Sequence, residues 1–223
     1  MKNTTPWILI DESLGKRVHV MLLYVLESSG SSPGRQGFCM AVNANNEMAG
    51  SIGGGIMEHK FVEMAKASLE AGVEGRETGA GSREAGHTIK KQIHDKSASS
   101  NQSGMICSGE QTILFYPVKE GDHRVVLEII RSLEKNENGT LILSPQGIRF
   151  DDSVPEKDFE YSFQSEDNWL YKEKTGFKNE LFIIGGGHCS LAFSKLMRSM
   201  DFYIRIYDER KDLKTMVENE AAH

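Results

Sequence analysis

The chain has 223 residues, of which 39% are hydrophobic and 26% are charged, and its formal net charge is −6. This composition is typical of a globular protein that packs its own core. The acidic balance and the lack of a basic run argue against nucleic-acid binding, which depends on neutralising phosphates. No apolar run approaches the ~18 residues of a transmembrane helix, and the first residues lack a signal-peptide core. The three cysteines are odd in number and far apart, which favours a reducing, cytoplasmic setting over a disulfide framework.

The first part of the chain alternates apolar segments with turns. Residues 18–27 are apolar and partly β-branched, which predicts a buried strand. A cluster of turn residues follows over 28–34, and then a predicted hairpin whose strands cover 37–43 and 47–52. The segment 56–71 has apolar residues at helical spacing and is followed by a glycine, which predicts a helix.

The middle of the chain contains weaker signals. Strands are predicted over 89–94, 111–117 and 140–143, and a helix is predicted over 122–135. Residues 96–104 are poor in apolar side chains and predict a flexible loop.

The overall pattern predicts an α/β protein in three parts. Residues 1–150 form an α+β domain, and residues 151–178 form an irregular or β connection that carries the domain boundary. Residues 179–223 form a partial, truncated Rossmann-like βαβ unit, because strand, glycine turn, helix and strand follow one another there.

The glycine turn of the C-terminal unit has the spacing Gly185-x-Gly187-x-x-Ser190. Such glycines let a backbone approach a pyrophosphate at a helix N-terminus, where His188 is a candidate phosphate contact. Asp208 lies 21 residues after Gly187 (208 − 187), at the end of the second strand, where an acid typically accepts a hydrogen bond from a ribose. The alternative is a tight turn that binds nothing. With one βαβ half-unit, we expect the unit either to complete its sheet with a partner or to be truncated.

Two further glycine-rich segments lie in the N-terminal domain. Both segments, 30–37 (GSSPGRQG) and 50–58 (GSIGGGIME), are typical of loops whose backbone N–H groups bind an anion. Glu58 falls in the first turn of the predicted helix, where a carboxylate also complements the helix dipole. Three consecutive glycines are more easily explained by close approach of a ligand than by packing, although a structural turn is the alternative. We expect the two segments to lie together and to face one cleft.

The cysteines differ in their surroundings. Cys107 is flanked by serine and glycine, which suits a site thiolate for a soft metal such as molybdenum, or simply a packed side chain. Cys39 lies in an apolar strand and is expected in the core, whereas Cys189 in the glycine turn is consistent with either role.

These motifs, in this order, resemble the XdhC/CoxI family. The family's Gly-Ser-(Thr/Ser)-Pro loop corresponds to residues 30–33, and its Gly-x-Ile-Gly-Gly-Gly-x-x-Glu segment corresponds to residues 50–58. Its Cys-Gly-Gly corresponds to residues 107–109, which read Cys-Ser-Gly, and its Gly-x-Gly-His turn and Asp-x-Arg correspond to residues 185–188 and 208–210.

The resemblance implies a chaperone that binds the molybdenum cofactor, protects it and passes it to an apo molybdenum hydroxylase of the xanthine dehydrogenase type. A cysteine desulfurase is a possible second partner, and a homodimer is expected because the C-terminal sheet has unpaired edges. Cys107 is the candidate metal ligand. The candidate cofactor-binding residues are Gly30, Ser31, Ser32, Gly53, Gly54, Gly55, Glu58, Cys107, Gly185, Gly187, His188 and Asp208.

Two other functions remain open from the residues alone. The Gly185 turn is compatible with a nicotinamide- or flavin-nucleotide-binding oxidoreductase that uses an NAD-type dinucleotide. The sequence lacks a clear set of acid–base residues beside that turn, which weakens this alternative. A non-catalytic interaction protein is the third possibility.

Overall fold

A computed structural model describes residues 4–77, 86–93, 109–135, 137–177, 179–198, 200 and 202–222, and within these it leaves the side chains of 72–77 undescribed. It is a mixed structure of helices and strands, as the sequence predicted. The helices are α1 (Thr4–Gly15), α2 (Gly55–Glu77), α3 (His123–Lys135), α4 (His188–Arg198) and α5 (Lys214–Val217). No helix in the described ranges is both long and apolar enough to cross a membrane.

The first sheet contains five antiparallel strands in the order β3-β2-β1-β5-β4. These strands are β1 (Val20–Gly30), β2 (Cys39–Asn43), β3 (Met48–Gly50), β4 (Thr88–Ile93) and β5 (Gly109–Pro117). The strands predicted over 18–27, 37–43, 47–52, 89–94 and 111–117 therefore form, with shifted ends. The central strand β1 is apolar on both faces because both faces of this sheet are covered.

Each face of the first sheet has its own core. Met21, Leu23 and Val25 pack with Phe61 and Ala65 of α2 on one face. On the other face, the alternate residues of β1 pack with α1, α3 and a second sheet. Helix α1 was not predicted from the sequence; it buries Trp7 and Ile10 in this second core.

The second sheet has four antiparallel strands in the order β7-β6-β9-β8. They are β6 (Gly139–Ser144), β7 (Gly147–Asp151), β8 (Phe159–Ser165) and β9 (Asn168–Thr175). The region predicted as an irregular or β connection is therefore largely β-structure. Because β9 pairs with β6, one sheet continues across the boundary predicted near residue 150.

A buried carboxylate joins the two sheets. The hydroxyl groups of Tyr24 on β1 and Tyr171 on β9 both donate to Glu173 Oε2, over 2.6 and 2.8 Å. Burial, reinforced by the nearby Glu173, raises the pKa of Tyr24 well above its ordinary value. Both tyrosines therefore remain neutral donors, which satisfies a carboxylate that would be costly to bury alone.

The C-terminal unit consists of β10 (Asn179–Ile184), α4, β11 (Phe202–Tyr207) and α5. Strands β10 and β11 pair in parallel from Asn179↔Phe202 to Ile184↔Tyr207, which confirms the predicted βαβ arrangement. Helix α4 packs on one face of this pair, where Ile204 is fully buried. The ring of Phe177 meets the ring of Tyr203 edge to face, with 5.1 Å between centroids, and so connects this unit to the preceding chain.

Candidate functional site

The two glycine-rich loops of the N-terminal domain lie against each other at one end of the first sheet. Gln111, near the start of β5, donates from Nε2 to the carbonyl oxygens of Gly34 and Ile52, 3.1 Å from each. Gln111 is 2% exposed, so this bond between the loops is shielded from water. The predicted proximity of the two loops is therefore confirmed.

Glycine is required where these loops touch. A side chain on Gly53 would overlap the backbone nitrogen of Gly34, and one on Gly34 would overlap the carbonyl of Ile52. Gly53, Gly54 and Gly55 also have φ values of +126°, +75° and +75°, which L-residues rarely adopt. Gly54 differs from its neighbour Gly53 because a Cβ there would meet no atom within 4 Å. Gly54 is thus the open side of the glycine run.

The carboxylate of Glu58 is bound by the loop that precedes its own helix. Its Oε2 accepts hydrogen bonds from the backbone N–H of Ile52 (2.9 Å), the N–H of Gly54 (3.0 Å) and the hydroxyl of Ser51 (2.6 Å). The loop is therefore an anion-binding arrangement of N–H groups, as its glycines predicted, and an internal carboxylate lies on it. Glu58 shapes the loop in addition to complementing the helix dipole.

Gly109, the last residue of the third predicted motif (107–109), contacts the first glycine loop. Gly109 begins β5 and packs so closely on Ser32 that a side chain there would overlap the backbone nitrogen of Ser32. Ser32 is buried and donates from Oγ to the carbonyl of Gly34 (3.1 Å), whereas Ser31 is exposed. Gly30 ends β1 with a φ of +61° and accepts a hydrogen bond from the Arg35 guanidinium. Cys107 lies outside the described residues.

The C-terminal glycine turn leaves two of its three glycines open. A Cβ on Gly185 or Gly187 would meet nothing within 4 Å, and His188 at the start of α4 is exposed. Gly186 is covered instead, because a Cβ there would approach the Met216 side chain of α5 to within 2.7 Å of Cγ. Thr215 Oγ1 donates to the Gly186 carbonyl and holds α5 on this side of the turn.

Asp208, predicted to accept a hydrogen bond from a ribose, is fully engaged within the chain. Its Oδ2 accepts from the N–H of Gly186 (2.6 Å) and from Arg210 Nη2 (2.8 Å), while Oδ1 accepts from Arg210 N and Nε, each at 2.9 Å. The guanidinium of Arg210, followed by the Gly186 N–H, holds the pKa of this carboxyl well below its usual range. An incoming ribose would have to displace one of these four donors.

The predicted site residues thus fall into two groups. Ser32, Gly53, Gly54 and Glu58 belong to the group at the end of the first sheet, together with Gly109. Gly185, Gly186 and Asp208 are hydrogen-bonded to residues of the C-terminal unit. Sequence reasoning missed Gln111, because one polar residue in an otherwise apolar strand does not indicate which loops it will join.

Two cysteines fall within the described residues. Cys39 is buried at 1% exposure in β2, as expected, and burial raises the pKa of its thiol well above the ordinary value. Cys189 is exposed in the first turn of α4. In the described part of the chain, no three His, Cys, Asp or Glu side chains are grouped so as to hold a metal ion.

Comparison with known proteins identifies the N-terminal region. The model of the XdhC and CoxI family matches residues 14–78, which confirms the resemblance drawn from the motifs over this segment and includes both glycine loops of the first group. No curated protein matches the chain significantly.

A solved structure shows the same fold at low identity. The crystal structure of a xanthine dehydrogenase from Bacillus halodurans superposes with a TM-score of 0.57 and 15% sequence identity. The match covers 94% of this chain and 63% of that one, so this chain spans less than two thirds of its length. At this identity the likeness establishes the fold alone.

Proposed function

We propose that this chain is an accessory protein in the maturation of xanthine-dehydrogenase-type molybdenum hydroxylases, and that it binds the molybdenum cofactor as a chaperone. The family match supports a role connected with xanthine dehydrogenase maturation. The observation that carries the proposal is that the matched segment, 14–78, contains both glycine loops, which are packed together and joined by Gln111.

The chemistry of the loops fits the proposed ligand. The cofactor is a phosphate-bearing pterin with a metal–dithiolene group, so it needs anion-binding donors and close backbone approach. The second loop already binds one anion, the Glu58 carboxylate, through backbone N–H groups, and the space in front of Gly54 is open. The cofactor would supply the molybdenum centre of the client enzyme, while the residues of this chain hold and shield it.

We assign the roles as follows. Gly30, Ser31, Ser32 and the run Gly53–Gly55 contact the phosphate, and Glu58 keeps the second loop in its binding conformation. The Cys107 thiolate is proposed as the ligand to the metal, since a soft thiolate suits a molybdenum–sulfur centre. The apo molybdenum hydroxylase is the proposed recipient, and a cysteine desulfurase is a proposed second partner.

The alternative is a nicotinamide- or flavin-nucleotide-binding oxidoreductase that uses the C-terminal turn. The open faces of Gly185 and Gly187 favour it, because a pyrophosphate has room to approach the backbone there. The engagement of Asp208 by Arg210 and Gly186 weakens it, since the ribose acceptor is already satisfied. A non-catalytic interaction protein is expected to retain neither ligand.

Two matched substitutions separate these functions. We substitute Asn, which tolerates a positive φ, at Gly54 and, separately, at Gly185; each side chain would enter open space. Each variant is co-expressed with the cofactor-synthesis enzymes, purified, and assayed for molybdenum, pterin fluorescence and bound dinucleotide. We expect Gly54→Asn to lose molybdenum and pterin and Gly185→Asn to keep them.

Controls and further variants complete this experiment. Gly121→Ala, at another open position, should behave like the wild type. Cys107→Ser should lose molybdenum while Cys39→Ser keeps it, with circular dichroism to confirm folding. If the wild type retains no pterin, or if Gly54→Asn retains as much as the wild type, the cofactor-binding role of the loops is wrong. Retention of NAD or flavin that Gly185→Asn abolishes would favour the oxidoreductase.

A further inference from the structure

A cavity of about 380 Å³ lies between α2 and the edge strand β4. Its apolar side chains are Phe61 and Met64 of α2, its polar side chains include Lys60, Lys90 and Gln92, and β4 borders it at Ile89. This volume is within the range of sites for small organic ligands.

The sheet register explains why polar side chains of β4 point toward α2. Lys90 pairs with Ile113, and Gln92 pairs with Gln111, across β4 and β5. Directly opposed residues of antiparallel strands share a face, and Ile113 belongs to the core covered by α2. Lys90 and Gln92 therefore lie on the α2 face, at the edge of the sheet.

The cavity is basic in a protein whose net charge is −6. Lys91 also lines it, but its ammonium is paired with Glu110 over 2.7 Å. No carboxylate of a described residue forms an ion pair with Lys60 or Lys90, and the Lys90 ammonium lies 5.9 Å from the centre of the Phe115 ring. Two cations beside apolar walls attract an anion.

Gln92 supplies an independent reason to expect a ligand. Its side chain is 5% exposed, and its Nε2 contacts the sulfur of Met57 at 3.2 Å. Its Oε1 is buried and has no hydrogen-bond partner among the described residues. Buried amide oxygens are almost always paired in native proteins, so this acceptor requires a donor that the described side chains do not provide.

We propose that this cavity binds a small organic anion with a flat apolar body. Lys60 and Lys90 neutralise the anionic group, Phe61 and Met64 contact the body, and Gln92 accepts a hydrogen bond from a ring N–H or hydroxyl group. The assignment rests on α2 and β4 and does not depend on cofactor binding by the glycine loops.

Pyridoxal 5′-phosphate is a suitable probe, because it is flat, anionic and reactive toward lysine. Its aldehyde carbon bonds to a lysine Nζ with loss of water, and borohydride then delivers a hydride to the imine carbon, which leaves a stable secondary amine. The full-length protein is labelled, reduced, digested and mapped by mass spectrometry. We expect Lys60 or Lys90 to be labelled about fivefold or more above Lys172, which is paired with Glu160 on the second sheet.

Affinity is then measured with pyridoxine 5′-phosphate, which lacks the aldehyde. Lys90→Gln removes one cation, and Gln92→Glu replaces the amide with a carboxylate of the same shape that repels an anion. We expect each change to raise the Kd about tenfold or more, and Gln164→Glu, at an exposed position of β8, to leave it unchanged. Circular dichroism checks folding.

The outcomes decide the proposal and separate it from the proposed function. Labelling that follows lysine exposure alone, or an unchanged Kd in both cavity variants, would overturn it. A Kd for the probe that is unaffected by Gly54→Asn would support a site distinct from the glycine loops. If Lys90→Gln loses the probe yet retains molybdenum cofactor, the anion site and the chaperone role both stand, each on its own evidence.

Discussion

Glu58 illustrates how one side chain organises a loop. Its carboxylate accepts hydrogen bonds from Ser51, Ile52 and Gly54, which all precede the helix that carries Glu58. Hydrogen bonds to a charged acceptor are stronger than neutral ones, so this contact compensates for part of the entropy lost on ordering a glycine run. In the proposed function, Glu58 keeps this loop in its binding conformation.

Replacing Glu58 tests its structural role. Glu58→Ala removes the acceptor of three hydrogen bonds, and we expect it to lower the free energy of unfolding by about 1–3 kcal/mol. Urea denaturation measures the change. Glu63→Ala, on the same helix, removes an exposed ion pair with Lys66 and should lose about 0.5 kcal/mol or less. Equal losses in the two variants would contradict a special role for Glu58.

Asp208 makes the stability of the C-terminal unit depend on pH. Its folded-state pKa is lowered by Arg210 and Gly186, so its stabilising contribution is fully present above the unfolded pKa of about 3.9. That contribution is lost as the pH falls through the folded pKa. We therefore expect faster hydrogen exchange of the Gly186 amide as the pH drops below about 4, beyond the intrinsic trend.

The matched variants for this prediction are Asp208→Asn and Asp212→Asn. Asp208→Asn removes the charged acceptor and should expose the Gly186 amide at every pH, while the exposed Asp212 four residues later should have no effect. A wild-type profile that Asp208→Asn leaves unaltered would show that the Asp208–Gly186 bond does not protect the amide.

At the scale of elements, two adjacent glycines have different functions. Gly53 contacts the Gly30–Gly37 loop, whereas Gly54 faces open space, and both have positive φ. Gly53 is therefore needed to bring two loops together, whereas Gly54 turns the chain and leaves space in front of it. A sequence of three glycines contains no sign of this difference.

Alanine substitutions measure the difference. Gly54→Ala carries only backbone strain and should cost about 1–2 kcal/mol, whereas Gly53→Ala adds a clash with backbone atoms of Pro33 and Gly34 and should cost about 3 kcal/mol or more. Thermal and urea unfolding both report these changes. Similar losses at the two positions would mean that the loops separate easily and that their contact is not specific.

On the scale of the whole molecule, many of the exposed large hydrophobic side chains in the described ranges lie in the C-terminal unit. Phe182, Ile184 and Tyr207 lie on the face of the β10–β11 pair opposite α4 and are 57%, 83% and 50% exposed. Parallel strands are normally covered on both faces. Exposed apolar side chains beside the exposed Glu180–Arg205 ion pair are typical of an interaction surface.

We predict that the protein self-associates through this face, in line with the homodimer expected from the unpaired strand edges. The double variant Phe182→Ser with Ile184→Thr should lower the mass measured by light scattering at micromolar concentration. Phe163→Ser removes an exposed aromatic ring from β8 and should leave the mass unchanged. A wild-type protein that is already monomeric would refute this prediction.

Local patterns in the sequence were sufficient for much of the fold. The apolar run of β1, the parallel β10–α4–β11 unit and the glycine motifs that resemble XdhC/CoxI all depend on neighbours within a few residues. Helix α1 and strand β7 were not predicted, and β8 and β9 were predicted only as an irregular or β connection, because these side chains are mixed in polarity and several pack into the core shared with the first sheet.

The sequence by itself determined the strands of the first sheet, the C-terminal βαβ unit and the glycine turns, and the family that residues 14–78 resemble. Only the tertiary structure decided what binds to these segments. The Glu58 carboxylate accepts hydrogen bonds from its own loop, and Arg210 donates to Asp208. Gln111 donates to Gly34 and Ile52, which lie 77 and 59 residues before it in the chain. Hydrogen-bond partners depend on which groups the fold brings within bonding distance and shields from water. The spacing of residues along the chain does not encode their distance in space.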